Sequence, residues 1–139
     1  MKRIKTVLVC LLATFLIGCD LDDDNTNFFY ELVSIESVSV PDSFTRGETY
    51  TIDVNYFRPS SCHGFAGFDY NRFANERTVS VVNLVVNPDN CEDLGTTELI
   101  EQSFDFVVGI ENSYVFRFWQ GRDDDGNNQF LTIEVPVEN

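Results

Sequence analysis

The sequence predicts an all-β domain in which two antiparallel sheets pack face to face as a sandwich. Apolar and polar residues alternate along most of the chain after residue 30, as in strands with one buried and one solvated face. Clusters of Gly, Pro, Asn, Asp and Ser interrupt these stretches every 10 to 20 residues or so. Helical spacing is hard to find. Short strands separated by such turns favour a sandwich, with a closed barrel as the alternative.

About seven strands are predicted. Alternation is clearest from Tyr50 to Tyr56 and from Leu131 to Val137. The third strand is the least regular, because Gly64 and Gly67 weaken it. In chain order the predicted strands span residues 31–40, 48–57, 65–73, 78–87, 98–108, 112–120 and 128–137.

Two predicted strands keep their period only if one residue is inserted. The first slips between Ile35 and Val38, and the fourth slips between Val81 and Leu84. Each slip predicts a β-bulge, in which one strand carries an extra residue. Pro136, near the end of the last strand, is typical of a terminal or edge strand because proline cannot donate to the ladder.

The first residues have the pattern of a secretion signal. Three basic residues lie within positions 1–5, and positions 6–17 are almost continuously apolar. Such a stretch is too short to cross a hydrocarbon core of about 30 Å, which needs about 20 apolar residues. Residues 1–18 are therefore predicted to be a cleaved signal peptide.

The end of this segment, Leu16-Ile17-Gly18-Cys19, resembles the lipobox of bacterial lipoproteins. The resemblance implies a diacylglyceryl group on the Cys19 thiol, cleavage before Cys19 and acylation of the new N-terminus. Two or three acyl chains give stable anchoring, where one chain alone is marginal. We therefore predict a lipoprotein that sits on a membrane without spanning it. A plain secretory signal with an incidental Cys19, or a short hydrophobic helix, is the alternative.

Residues 19–30 are predicted to be a lipidated, acidic and flexible tether that leads into a domain spanning residues 31–139. Asp20 to Asn27 is acidic and polar, so it repels itself and extends. An acidic cluster behind the lipidated Cys resembles the export signal of surface-exposed lipoproteins, whereas Asp directly after Cys19 resembles an inner-membrane retention signal. We favour the outer membrane, with the domain facing outward. A linker without sorting content is the alternative.

The charge of the chain excludes nucleic acid as a default partner. The net charge is −14, and without the basic residues Lys2, Arg3 and Lys5 it becomes −17, from six arginines against 23 acidic residues. Such a surface repels a phosphate backbone instead of exchanging counterions with it.

The segment Glu111-Asn112-Ser113-Tyr114-Val115-Phe116 resembles the entry to the sixth strand of immunoglobulin-like sandwiches. In those domains a Tyr hydroxyl binds the backbone at a corner. The resemblance implies an Ig-like, two-sheet antiparallel sandwich. No Cys follows Tyr114 by two positions and Trp119 lies in the wrong strand for an antibody domain, so fibronectin-like or other bacterial Ig-like domains are closer.

Cys62 and Cys91 are predicted to form a structural disulfide in an oxidising compartment. In the chain-entropy model, closing a loop of about 30 residues stabilises the fold by roughly 3.5 kcal/mol. The adjacent His63 opens a second interpretation, in which Cys62, His63 and Cys91 bind copper or zinc. Thiol catalysis is a third. We favour the disulfide with His63 in an ordinary hydrogen bond, and we predict no metal and no cofactor.

The acidic residues raise the possibilities of acid–base catalysis and of calcium binding, and no sequence motif supports either of them. Asp53, Asp69 and Asp105 lie at expected polar positions of strands, and a pair of carboxylates could serve a small glycan-active enzyme. Motifs of hydrolases and phosphate-binding loops are absent from the sequence, so we predict no enzymatic activity. The segment from Asp123 to Asn128 lacks two carboxylates that a helical calcium loop needs, and it is predicted to be a hairpin loop.

Aromatic residues suggest a binding face. If Tyr114, Phe116 and Phe118 face the core, then Arg117 and Trp119 face the other way, where Phe130 on the neighbouring strand joins them. Such a face could stack on sugars or capture a protein, unless these rings only cover the sheet. The predicted function is a lipid-anchored, non-catalytic binding or accessory module of the envelope, with a protein or glycan partner. The alternatives are the metal-handling protein and the glycan-active enzyme.

Overall fold

The computed structural model describes residues 26–139, which form two β-sheets packed face to face. This confirms the predicted all-β sandwich, with nine strands in the described residues where about seven are predicted. One 3₁₀ turn, Pro88–Asn90, interrupts them, and no helix in this part of the chain is long and apolar enough to cross a membrane. The strands are β1 (Phe28–Val33), β2 (Ile35–Ser39), β3 (Phe44–Thr45), β4 (Thr49–Phe57), β5 (His63–Phe73), β6 (Glu76–Val86), β7 (Leu99–Val107), β8 (Ser113–Arg122) and β9 (Asn128–Glu138). The predicted signal peptide, Cys19 and most of the tether lie outside the described residues.

The larger sheet is built around β6. Its strand order is β1-β6-β8-β9-β3, and β5 pairs with the other side of β6. The smaller sheet has the order β2-β4-β7, so β7 forms one of its edges. Most pairs are antiparallel, but β6 runs parallel to β8 and β3 runs parallel to β9. The larger sheet is therefore mixed, which the prediction of purely antiparallel sheets did not include.

The predicted first strand is in fact two strands in different sheets. β1 pairs with β6 in the larger sheet, whereas β2 pairs with β4 in the smaller one, and the chain crosses between the sheets at Ser34. Val33 and Ile35 are both buried on either side of this crossing. The predicted bulge is confirmed, because the register of β2 shifts between Ile35 and Ser37. The larger sheet also begins at Phe28, inside the segment predicted to be tether.

The predicted bulge in the fourth strand is wrong. β6 alternates without interruption, because the buried Asn83 occupies the core position between Val81 and Val85. Leu84 consequently faces outward with the other even-numbered residues. A polar residue at a core position made a regular strand look out of phase, and the bulge lies instead in the partner strand β5, before Gly67.

The core includes a strand that alternation cannot detect. β3 has only two residues, yet Phe44 is completely buried and its ring packs within 5.2 Å of those of Tyr50 and Phe106, measured between centroids. Burying one such ring contributes about 1.5–3 kcal/mol. The fully buried side chains are mainly aromatic or β-branched: Ile35, Phe44, Ile52, Val54, Tyr56, Val79, Val81, Val85, Tyr114, Phe116, Phe118 and Val135.

The Tyr114 hydroxyl closes the corner before β8. The Tyr114 side chain is buried, and its hydroxyl accepts a hydrogen bond from the Gly109 backbone N–H over 2.8 Å. A Cβ on residue 109 would lie only 2.8 Å from the same oxygen, so this close approach requires glycine. The contact is the backbone bond that the resemblance to immunoglobulin-like sandwiches implies for this residue.

Candidate functional site

Cys62 and Cys91 form a disulfide that joins two loops at one end of the sandwich. Their Cα atoms are 5.5 Å apart, and 29 positions separate them in sequence. Backbone hydrogen bonds run alongside the bridge, since the Ser61 N–H donates to the Glu92 carbonyl over 2.9 Å and the Leu94 N–H donates to the Pro59 carbonyl over 3.0 Å. The predicted bridge is therefore confirmed, and it reinforces loops that already pair.

His63 begins β5 beside this bridge, and both of its ring nitrogens have partners. Nδ1 lies 2.7 Å from the Ser60 hydroxyl oxygen, and Nε2 lies 2.6 Å from a Glu31 carboxylate oxygen. The imidazole therefore links the loop to β1 instead of pointing to open solvent. With both sulfurs in the disulfide, neither is a thiolate. Within residues 26–139, no three His, Cys, Asp or Glu side chains are grouped to hold a metal ion.

The three residues of the predicted stacking face, Arg117, Trp119 and Phe130, form a cluster on the outer surface of the larger sheet. Trp119 and Phe130 are directly opposite each other in the β8–β9 pair, and the Arg117 guanidinium lies 4.1 Å from the centre of the Phe130 ring. Arg117 also forms an ion pair with Glu76 at 3.3 Å, and the Trp119 indole N–H donates to the Asn128 side-chain oxygen over 3.0 Å. The polar groups of this cluster are therefore engaged by neighbours, which leaves half-buried ring surface for a ligand.

The three strand-borne aspartates named as acid–base candidates lie on two different sheets and do not form one cluster. Asp53 and Asp105 belong to β4 and β7 of the smaller sheet, whereas Asp69 belongs to β5 of the larger one. Asp105 accepts a hydrogen bond from the Thr51 hydroxyl over 2.8 Å. Asp53 and Asp105 are diagonal neighbours on one face of the smaller sheet, because Thr51 pairs with Asp105 and Asp53 pairs with Ser103, whereas Asp69 is exposed on the larger sheet.

Asp123 organises the hairpin loop between β8 and β9. Its Oδ1 accepts hydrogen bonds from the backbone N–H groups of Asn127 at 2.8 Å and Asp125 at 3.0 Å, and its Oδ2 accepts one from the Gln129 side chain at 3.1 Å. These bonds, the Asn127 backbone bond foremost, hold the pKa of the Asp123 carboxyl below its ordinary value of 3.8. Gly126 has φ +82°, as the predicted hairpin loop requires at this position.

An apolar groove of about 280 Å³ lies on the outer surface near the disulfide. Gly64 and Ala66 lack long side chains there, so the groove opens above Leu84 and Val86 and against Tyr30. It adjoins the exposed apolar side chains of β1, which are Phe28, Phe29, Tyr30 and Leu32. This apolar surface is at the end of the domain where the N-terminal segment enters.

A second cavity lies at the opposite end of the β5–β6 hairpin, between the edge strands β5 and β7. This Arg72–Arg77 cleft has a volume of about 310 Å³ and is lined by Tyr70, Arg72, Arg77, Phe104 and Asp105, with Phe106 and Val107. Arg72 and Arg77 are directly opposite each other in the hairpin. Residues that face each other in this way project from the same side of a sheet.

Interactions with neighbouring groups fix the position of Arg77. One guanidinium nitrogen donates to the backbone carbonyls of Ala74 and Glu76 at 2.9 and 2.8 Å. The guanidinium carbon lies 4.9 Å from the centre of the Tyr114 ring. Burial raises the pKa of Tyr70, against the opposing influence of Arg77, so near neutral pH Tyr70 presents a protonated hydroxyl at the cleft.

Sequence reasoning did not single out the two arginines. The usable signal was the segment Arg72-Phe73-Ala74-Asn75-Glu76-Arg77, in which the arginines stand at equal distances from a two-residue turn. That spacing predicts that the two arginines pair in a hairpin. It does not predict that β7, which is distant in sequence, forms the other wall of the cleft. No family model matches the chain, and neither the curated proteins nor the solved structures contain a significant match.

Proposed function

We propose that this protein is a lipid-anchored, non-catalytic binding module of a bacterial cell envelope. The lipobox-like Leu16-Ile17-Gly18-Cys19 supports attachment through Cys19. The outer membrane, with the domain facing outward, is the location that the acidic cluster after Cys19 favours. The binding role draws on the folded domain, in which the Arg72–Arg77 cleft supplies a cavity lined by cationic and aromatic groups.

One observation carries the binding role: Arg72 and Arg77 are directly opposite each other in one hairpin and line the same cavity. Within residues 26–139, Arg58 pairs with Glu98 at 3.0 Å and Arg117 pairs with Glu76 at 3.3 Å, whereas Arg72 and Arg77, like Arg46 and Arg122, form no ion pair. Asp105 supplies a carboxylate among the lining residues, and its Oδ1 accepts a hydrogen bond from the Thr51 hydroxyl, so the two adjacent cations of the cleft favour an anionic ligand. Convergent charged groups in a cavity of this size are typical of ligand sites.

The position of the cleft suits display away from a membrane. Phe28, which follows Cys19 by nine residues, pairs with Val86 at one end of β6. Arg77 is nine residues away along the same strand, or roughly 30 Å at the usual rise per residue. An anchor at Cys19 therefore attaches to the disulfide end and leaves the cleft at the far end.

The anchor is tested by metabolic labelling with palmitate and by fractionation of cells. We expect the wild type to be labelled and to partition with the envelope, and Cys19→Ser to lose the label. Cys10→Ser is the matched control, because position 10 lies in the segment predicted to be removed. An unlabelled wild type, or a Cys19→Ser variant that still partitions with membranes, contradicts the lipoprotein assignment.

The binding role and the orientation are tested by protease shaving of intact cells and by affinity capture with the purified protein. We expect shaving to remove the domain from intact cells, and capture to recover a ligand that Arg72→Gln loses. Resistance to shaving until the outer membrane is broken contradicts the outward orientation. Equal capture by the wild type and Arg72→Gln contradicts a role for the cleft.

A further inference from the structure

The ligand of the Arg72–Arg77 cleft can be narrowed from the chemistry of its walls. Each guanidinium is planar and offers five N–H donors, a geometry that matches the two oxygens of a carboxylate. Arg77 donates from one guanidinium nitrogen to the carbonyls of Ala74 and Glu76. Because these contacts and the Tyr114 ring already fix Arg77, less conformational entropy is lost when a carboxylate binds.

The cleft also borders an open strand edge. β7 ends the smaller sheet, so along Leu99–Val107 the backbone groups on its outer side have no strand partner within residues 26–139. Asp105 and Val107, near the end of this strand, line the cleft itself. An extended chain can add to such an edge by backbone hydrogen bonds, and pockets beside the edge then select its side chains or its terminus.

The chain's own acidic tether is poorly placed to fill the cleft. Its aspartates precede Phe28 by four to eight residues, which allows at most about 29 Å of extended chain. The cleft lies roughly 30 Å from Phe28 along β6, so even the most distant aspartate, Asp20, would need a fully stretched path over the sheet. The carboxylate that completes the site is more simply supplied by another molecule.

We infer that the cleft binds the C-terminal carboxylate of an extended peptide, with Arg72 and Arg77 gripping the carboxylate and the peptide adding as a strand to the edge of β7. Glu101, exposed on β7 and four residues before Asp105, then lies beside the residues that precede the terminus. Its negative charge favours Lys or Arg in that part of the peptide. The inference rests on the proposed binding function and names its ligand class.

The test measures binding of peptide arrays to the detergent-purified full chain. The probes are seven-residue peptides of varied sequence, each synthesised with a free C-terminal carboxylate and with a C-terminal amide. We expect a subset rich in Lys or Arg to bind as free acids and to bind at least tenfold more weakly as amides. Arg72→Gln is expected to weaken the same peptides at least tenfold, whereas Arg122→Gln, in the β8–β9 hairpin, leaves them unchanged.

Other outcomes overturn the inference. Equal binding of acids and amides excludes capture of the terminus, and no binding of any peptide excludes the peptide class. A glucuronate oligosaccharide that binds and is lost in Arg72→Gln, without peptide binding, assigns the cleft to acidic glycans while preserving the proposed binding function. Failure of Cys19 labelling affects only the anchor. Urea unfolding of Arg72→Gln confirms that the variant is folded, as expected for the replacement of an exposed side chain.

Discussion

The loss of stability on removing the Cys62–Cys91 disulfide can be calculated from the number of residues between the two cysteines. With 29 positions between the cysteines, the chain-entropy model gives a stabilisation of roughly 3.5 kcal/mol. Both side chains are only half-buried, so lost packing adds little when they are replaced. The hydrogen bonds from Ser61 to Glu92 and from Leu94 to Pro59 remain, so the native loops should keep their geometry.

The experiment compares the wild type with Cys62→Ala/Cys91→Ala by urea and thermal unfolding. We expect the free energy of unfolding to fall by roughly 3.5 kcal/mol and the melting temperature by roughly 15 to 20 °C. The m-value should rise, because the unfolded chain without the bridge exposes more surface. The wild type reduced with dithiothreitol is the control and should match the variant. A loss below about 1 kcal/mol, with both proteins folded, would refute the entropic reasoning.

Three further predictions concern the corner and the hairpin loop. Tyr114→Phe should lower the free energy of unfolding by about 1–2 kcal/mol in urea, because the Gly109 N–H loses its acceptor; unchanged stability would show that water replaces it. Gly109→Ala should destabilise the wild type by about 1–3 kcal/mol but cost less in the Tyr114→Phe background, and strictly additive effects would count against the clash. An NMR titration should place the pKa of Asp123 below 3.8. Because the folded pKa is the lower one, its stabilising effect is complete above pH 3.8 and disappears as the pH falls through the folded pKa. Asp123→Ala should therefore remove this part of the acid dependence while the matched Asp124→Ala retains it.

Alternation predicted most of the strands because a half-buried strand must place apolar residues at every second position. It succeeded for Tyr114, Phe116 and Phe118, which are all buried, with Arg117 and Trp119 on the opposite face. It failed where a core position is polar, at Asn83, and where a strand is too short to show a period, at Phe44. It also merged β1 and β2, because a chain that changes sheets can keep its apolar spacing through the crossing.

Some features of the candidate sites were also predicted from the sequence, and others were not. The disulfide was predicted from two cysteines left in a chain that the sequence predicts to be exported, and the Arg117, Trp119 and Phe130 cluster was predicted from neighbouring strands that expose the same face. The ion pair of Arg117 with Glu76 was not predicted from the sequence, because it depends on the parallel pairing of β6 with β8. Pairing between strands that are distant in sequence is decided by how the sheets assemble.

The sequence by itself determined the strand-rich class, the acidic charge and the pairing of Cys62 with Cys91, because these depend on composition, on the number of cysteines or on local spacing. Only the tertiary structure decided that the edge of β7 borders Arg72 and Arg77 and forms a cleft with them. The reason is physical: burying the aromatic core brings the two sheets together, and the groups left facing each other at their edges come from segments with no local relation in the chain.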